Sequence, residues 1–131
     1  MKTRAMLALV VSGALIAGCG QFKTTKTGDG DKVKYQVVTS GNTDDRIEVI
    51  NVVAGKAGDL VKASVEMKNK SRFAYTFEYR FKWYDGSGME ISPDSTAWIP
   101  LSIMGNETKS LQALAPNPTA ETFKLFLQEK P

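Results

Sequence analysis

Two pairs of carboxylates have the residue types and spacing that could support catalysis or metal binding. Asp85 and Glu90 flank a glycine-rich turn and could serve as the acid and base of a weak hydrolase. Asp44 and Asp45 adjoin Asn42 and could hold Ca²⁺ weakly. Each pair also has a plainer interpretation, because adjacent loop carboxylates are usually solvated and an aspartate in a turn bonds its own backbone.

The rest of the sequence gives catalysis little support. The chain has no histidine, which removes the commonest general base at neutral pH and most zinc sites. No glycine-rich phosphate loop, G-x-S-x-G elbow or EF-hand loop is present. The sequence therefore predicts a protein that is not an enzyme, with no catalytic residues, no cofactor and no metal site.

The amino-terminal segment is typical of an export signal. Lys2 and Arg4 precede an apolar stretch over residues 5–16 that is rich in small residues and too short to span a bilayer stably. Residues 1–18 are therefore predicted to be a signal peptide. The single cysteine of the chain, Cys19, follows directly and leaves no partner for an intramolecular disulfide.

The residues around this cysteine resemble a known processing motif. The run Leu15-Ile16-Ala17-Gly18-Cys19 resembles the lipobox of bacterial lipoproteins. This resemblance implies that Cys19 is acylated, becomes the first mature residue and attaches the protein to a membrane. Gly20 stands where an aspartate would retain a lipoprotein at the inner membrane. The resemblance therefore implies the periplasmic face of the outer membrane of a Gram-negative bacterium.

Length and charge indicate one mature domain. Removal of the signal would leave about 113 residues, enough for a single domain that buries roughly two thirds of its unfolded surface. Lys2 and Arg4 leave with the signal, which lowers the net charge from +3 to about +1 and gives no indication of nucleic-acid binding. Residues 19–32 are mostly polar and rich in small residues, with one aromatic, and they predict a flexible tether between Cys19 and a periplasmic domain over residues 33–131.

From Val33 onward, apolar residues alternate with polar ones in runs of strand length, and turn residues separate the runs. The clearest run places Val61, Ala63, Val65 and Met67 on one face. No window shows the spacing of an amphipathic helix. The pattern predicts an all-β, immunoglobulin-like antiparallel sandwich of about seven strands.

The segment 73–83 carries an aromatic ring at every second position and could form either a ligand platform or one wall of the core. Its other face includes three charged residues, and their burial without partners would cost several kcal/mol each. Burial of the rings contributes a few kcal/mol apiece, so we expect the rings to face the core. A strand of this full length would span the whole domain, and we expect it to begin near Tyr75, with Phe73 in the preceding turn.

The end of this strand also resembles a known family. Tyr79-Arg80-Phe81-Lys82-Trp83-Tyr84-Asp85, with Gly88 closing the turn, is similar to the YRFxWYDxxG signature of the YcfL-like family of small Gram-negative outer-membrane lipoproteins. Trp98 with Leu101, Ala115-Pro116 and Phe123-Lys124-Leu125 follow in the same order and spacing. The resemblance implies an immunoglobulin-like sandwich on the outer membrane and no established biochemical role.

Two surfaces are candidates for binding. The outward face of the aromatic strand offers Arg80 and Tyr84, although such a face can simply be solvated and protect an edge. Trp98 follows a polar stretch and either covers one end of the core or anchors a partner. We therefore expect a non-enzymatic lipoprotein whose sandwich binds another cell-envelope protein through Trp98, Tyr84 and Arg80. The alternative is a module that binds a small ligand or a glycan.

Overall fold

The computed structural model describes residues 22–29, 33–92 and 97–130 of the 131-residue chain. The predicted signal peptide and Cys19 lie outside the described residues. The elements in chain order are β1 (Phe22–Asp29), β2 (Lys34–Ser40), α1 (Thr43–Arg46), β3 (Ile47–Ala57), β4 (Leu60–Asn69), β5 (Tyr75–Asp85), β6 (Glu90–Ile91), β7 (Ile99–Ile103), β8 (Thr108–Leu114) and β9 (Ala120–Glu129). No helix in these ranges is long and apolar enough to cross a membrane.

The strands form two sheets. The larger sheet has the order β1-β2-β9-β5, and both β6 and β7 pair with the free edge of β5. The smaller sheet has the order β3-β4-β8. All pairings are antiparallel except that of β2 with β9, which is parallel. The predicted all-β sandwich is confirmed, with nine strands in the described residues rather than about seven.

The core lies between the sheets and follows the alternation of the sequence. In β4 the residues Val61, Ala63, Val65 and Met67 are buried, as the pattern predicts. They face the larger sheet, whose central strand β9 buries Phe123, Leu125 and Leu127. Because side chains alternate across a strand, the residues between these positions point to the outer faces.

The aromatic strand places its rings toward the core, with one exception. Phe77, Phe81 and Trp83 are buried, and Tyr75 and Tyr79 are half-buried against the core. Strand β5 begins at Tyr75, as expected. Phe73 precedes it in a bend and is 68 % exposed, so the row has five rings against the core rather than six.

The predicted tether over residues 19–32 is wrong for Phe22–Asp29, which form strand β1. This strand pairs with β2 through a register shift between Thr24 and Lys26. Gly28 lies opposite Tyr35, whose ring occupies the space where a Cβ of residue 28 would lie. The Tyr35 ring also stacks on Phe123, with the ring centres 5.8 Å apart. A polar sequence can form such an edge strand because β2 supplies the pairing groups and the apolar wall, which local composition does not reveal.

The pairing registers define two ends of the sandwich, and we call the end at which β1 begins the proximal end. There Phe22 lies opposite Ser40, and the loops 70–74 and 104–107 lie at the same end. The distal end contains the start of β2 and the hairpin loop 86–89 between β5 and β6. Strand β5 runs from one end to the other, and its eleven residues span about 36 Å.

One buried amide holds the proximal loops together. Asn69 is fully buried, and its Nδ2 donates to the carbonyl oxygens of Phe73, at 2.7 Å, and Ile103, at 2.9 Å. Its Oδ1 accepts from the backbone N–H and the hydroxyl of Ser71, both at 2.9 Å. Every hydrogen-bonding position that Nδ2 and Oδ1 offer is used, as burial of a polar side chain requires.

Candidate functional site

The outer face of the larger sheet brings together cations and aromatic rings from separate parts of the chain. Lys82 of β5 lies opposite Lys124 of β9, and Arg80 lies opposite Phe126. Tyr84 occupies the next outward position of β5, and β2 contributes Lys34 beside β9. Trp98 lies against Arg80 just before β7. We call this set the cation–aromatic face: Lys34, Arg80, Lys82, Tyr84, Trp98, Lys124 and Phe126.

Three of the cations rest on three of the rings. The Arg80 guanidinium carbon is 4.3 Å from the centre of the Trp98 ring. The Lys124 Nζ is 5.2 Å from the centre of the Tyr84 ring, and the Lys82 Nζ is 5.5 Å from that of Phe126. Each arrangement lies within the range of cation–π attraction. The three rings are half-buried although they lie on the outer face of the sheet, because the cations cover part of their surface.

Positive charge exceeds negative charge on this face. Lys82 has a carboxylate partner, Glu90, with 3.7 Å between Nζ and Oε1. Glu78 Oε1 accepts a hydrogen bond from Gln128 Nε2 at 2.9 Å. Lys82 and Lys124 lie directly opposite each other, a pairing of like charges that destabilises a sheet. The face is thus electrostatically suited to an anionic partner.

Arg80 is held in place by its contact with the Trp98 ring. Stacking on Trp98 uses the flat face of the guanidinium, whereas a carboxylate is recognised by the donors in its plane. The Nε of Arg80 is buried and has no hydrogen-bond partner in the described residues. The indole limits the rotamers of the arginine, and such preorganisation lowers the entropy lost on binding an acidic group.

Tyr84 lies at the distal end of the face and borders a cavity of about 350 Å³. Lys34, Gln36, Gly88 and Lys124 are among the other lining residues. Partial burial raises the pKa of the Tyr84 phenol, the carboxylate of Glu90 raises it further, and Arg80 opposes the shift. The phenol is therefore a neutral donor at physiological pH, beside two lysine ammonium groups.

The carboxylates that could have supported chemistry have structural partners. Asp85 Oδ1 accepts from the Ser87 hydroxyl at 2.7 Å, from the Ser87 N–H at 2.9 Å and from the Met89 N–H at 3.0 Å. These hydrogen bonds, led by that of the Ser87 hydroxyl, hold the pKa of Asp85 below its usual value. Asp85 is thus a turn residue that closes the β5–β6 hairpin loop, where Gly88 supplies a positive φ of 90°.

The acidic pair Asp44-Asp45 lies in the first turn of α1. The sequence predicts a loop over residues 39–45, but the structure ends β2 at Ser40 and forms a four-residue helix from Thr43. Within the described ranges, no group of three or more Asp, Glu, His or Cys residues could hold a metal ion.

The structure places the three residues predicted for partner binding on one outer face. Arg80 and Trp98 are in contact, and Tyr84 follows Arg80 on the same side of β5. Trp98 lies outside the core cluster. Sequence reasoning missed Lys34 and Lys124. Their positions alternate with core residues and so point outward, but only the pairing of β2, β9 and β5 brings them to Tyr84.

Comparison of the structure with solved structures supports the fold. A member of the DUF1425 family from Shewanella sp. pv-4 aligns with a TM-score of 0.60 at 21% identity, covering 86% of this chain and 98% of that chain. Cj0090 from Campylobacter jejuni aligns with a TM-score of 0.62, also at 21% identity, covering 72% of this chain and 97% of that chain. The protein is thus a small β-sandwich of the type found in these two proteins.

The family follows from the sequence itself. The model for DUF1425, described as a protein of unknown function, matches residues 34–129. The chain belongs to the DUF1425 family. No curated protein matches the sequence.

Proposed function

We propose that this protein is a YcfL-like lipoprotein, anchored through acylated Cys19 to the periplasmic face of the outer membrane, whose sandwich binds another envelope protein. The export signal and the lipobox-like residues before Cys19 support the anchor. Acyl chains contribute about 0.8 kcal/mol per buried CH₂, so several chains retain a protein on a membrane. Binding rather than catalysis agrees with the absence of histidine and with the engagement of Asp85 and Glu90 in local contacts.

The observation that carries the binding proposal is the set of three ring–cation contacts on the cation–aromatic face. Tryptophan, tyrosine and arginine are the residues most enriched in interface hot spots. Here one of each lies on a single sheet face, and Arg80 and Trp98 hold each other in position. Because cations outnumber carboxylates there, the partner segment is acidic. Its carboxylates would bind the edge of Arg80 and the ammonium groups of Lys124 and Lys34.

Photocrosslinking in intact cells tests this proposal. A photoreactive amino acid at Gln36, which lies beside Lys124, should crosslink to a defined envelope protein. The same amino acid at Ser64, on the outer face of the smaller sheet, serves as the matched control and should not. Charge reversal by Arg80→Glu should greatly reduce the crosslink. Equal crosslinking from both positions, or a crosslink indifferent to Arg80→Glu, would contradict the assignment of this face.

A second candidate function rests on the cavity beside Tyr84. Its volume of about 350 Å³ lies at the lower end of the range of small-molecule sites. A phenol between two lysines suits a glycan fragment or small ligand that carries a carboxylate. Titration calorimetry with soluble cell-wall fragments should give a binding signal that weakens in a Tyr84→Phe variant, because Tyr84 lines the cavity. An unchanged signal, together with intact crosslinking at Gln36, would leave the protein partner as the better explanation.

A further inference from the structure

We propose that the proximal end of the sandwich lies on the phospholipid surface of the anchoring membrane, with Phe73 and Met104 inserted at the headgroup level. This inference rests on the proposed acylation of Cys19, and it adds a second point of attachment. That attachment sets the orientation of the domain and the direction in which its binding face is presented.

The first observation is where the anchored chain meets the fold. Strand β1 begins at Phe22, three residues after Cys19. Three residues reach at most about 11 Å, so the acylated cysteine keeps the start of β1 close to the membrane. Because Phe22 lies opposite Ser40, the whole proximal end is the end nearest the lipid.

The second observation is the exposed apolar pair at that same end. Phe73 is 68 % exposed and Met104 is 62 % exposed, and they belong to neighbouring loops that lead into β5 and out of β7. These loops are in contact, since Asn106 N–H donates to the Ser71 carbonyl oxygen at 2.9 Å. Two exposed apolar side chains therefore lie on adjoining loops at the end nearest the proposed anchor, where the apolar part of a membrane interface can cover both.

The position of the pair suits two-point attachment. Strands β1, β5 and β7 lie in one sheet, in which β5 is three strands and β7 four strands away from β1. The loops that carry Phe73 and Met104 therefore lie about 14–19 Å from the start of β1. Lys70 and Arg72 are exposed in the same loop as Phe73 and suit the phosphates of lipid headgroups. Glu107, in the adjoining loop, turns one carboxylate oxygen to the Met104 N–H at 3.0 Å.

The loops are rigid enough to act as a wedge. Asn69 ties the Phe73 and Ile103 carbonyl oxygens to one buried amide. The two apolar side chains are therefore presented by a fixed backbone. With this end on the membrane, the cavity beside Tyr84 is held about 30 Å away, toward the periplasm.

Thiol protection in vesicles tests the proposal. The full acylated chain is reconstituted in phosphatidylethanolamine–phosphatidylglycerol vesicles, with one new thiol either at Ala74→Cys or at Met89→Cys. Ala74 adjoins Phe73, and Met89 is 68 % exposed at the distal end, which makes it the matched control. Each variant is also made with Phe73→Ser and Met104→Ser, both at exposed positions where the fold should tolerate serine.

The expected result is that the two serine substitutions accelerate maleimide labelling of Ala74→Cys about tenfold. This change corresponds to a loss of about 1.4 kcal/mol in the free energy of membrane insertion. Labelling of Met89→Cys should not change. Equal rates at residue 74 with and without the substitutions would overturn the proposal. So would protection that weakens as the protein is diluted within the membrane, because that result indicates a second copy of the chain at this surface.

The mass of the Cys19 peptide separates this inference from the proposed function. An unmodified Cys19 would overturn both the lipoprotein assignment and the membrane contact. Acylated Cys19 with an unprotected residue 74 would overturn the membrane contact alone. Protection at residue 74 without any specific crosslink at Gln36 would support the contact and contradict the protein-binding role.

Discussion

The side chain of Asn69 offers the sharpest test of how the proximal end is held. Replacement by alanine removes four hydrogen bonds, two to carbonyl oxygens and two from Ser71. The carbonyl oxygen of Ile103 would then be left in a buried position without this donor. Alanine also leaves a space where the amide was fully enclosed.

The magnitude follows from these contacts. Each hydrogen bond contributes about 1 kcal/mol net, and an unsatisfied buried carbonyl adds roughly 1 kcal/mol or more, so Asn69→Ala should lower the free energy of unfolding by about 4–5 kcal/mol. Domains of this kind have a total stability of about 5–15 kcal/mol. The melting temperature should fall by roughly 15–20 °C.

Urea unfolding followed by tryptophan fluorescence measures this loss, because Trp83 is buried in the core and reports its opening. Asn51→Ala is the matched control, since Asn51 is exposed on the neighbouring strand β3, and it should change the stability by no more than about 0.5 kcal/mol. Ser71→Ala should have an intermediate effect of about 1 kcal/mol. If Asn69→Ala were no more destabilising than the Asn51 control, the amide would not be what holds these loops.

Three further predictions follow from local geometry. Gly105→Ala places a Cβ 2.1 Å from the backbone carbonyl oxygen of Arg72, so it should lower the free energy of unfolding in urea by about 3 kcal/mol. In the control Gly86→Ala the new Cβ meets only a flexible side chain, and the loss should be much smaller. Arg80→Ala removes a cation that lowers the pKa of Tyr84, so ultraviolet titration should show a still higher pKa; a fall would refute the assigned cause. Asp85 has a folded-state pKa below 3.8 and so contributes stability above pH 3.8 that is lost as the pH falls through the folded value. The stability difference between wild type and Asp85→Asn should therefore shrink in acid, and a difference independent of pH would contradict this linkage.

Much of the fold was predictable because alternation across a strand is a local property. The runs of β4 and β5 identified the buried positions, and the Asp85–Gly88 turn was predicted from residues that themselves form its hydrogen bonds. In β3 the alternation changes phase after Val49, where a register shift lets Val52 face the core. The sequence shows both apolar runs of this strand, but the extra residue between them is recognised as a bulge only in the paired sheet.

Strand β1 shows where local reasoning fails. Apart from Phe22, its residues are polar or glycine, a composition typical of a linker. The strand forms because β2 pairs with it and because the Tyr35 ring covers Gly28. Both contributions come from outside the segment, so composition alone could not indicate a strand.

The amino-acid sequence by itself determined the chemical character of this protein. It predicts an export signal followed by a lipobox-like cysteine, and it contains no histidine and a set of alternating runs whose charged and apolar faces were already sorted. These properties depend on residue identity and on the two-residue period of a strand. Both can be recognised within one segment, without knowing which other segments pack against it. Only the tertiary structure decided which outward faces combine. Lys124 meets Tyr84, Trp98 meets Arg80, and Phe73 and Met104 share the end at which β1 begins, because strand pairing joins segments far apart in the chain. Such pairing is set by the fit of the whole core, and no single segment encodes it.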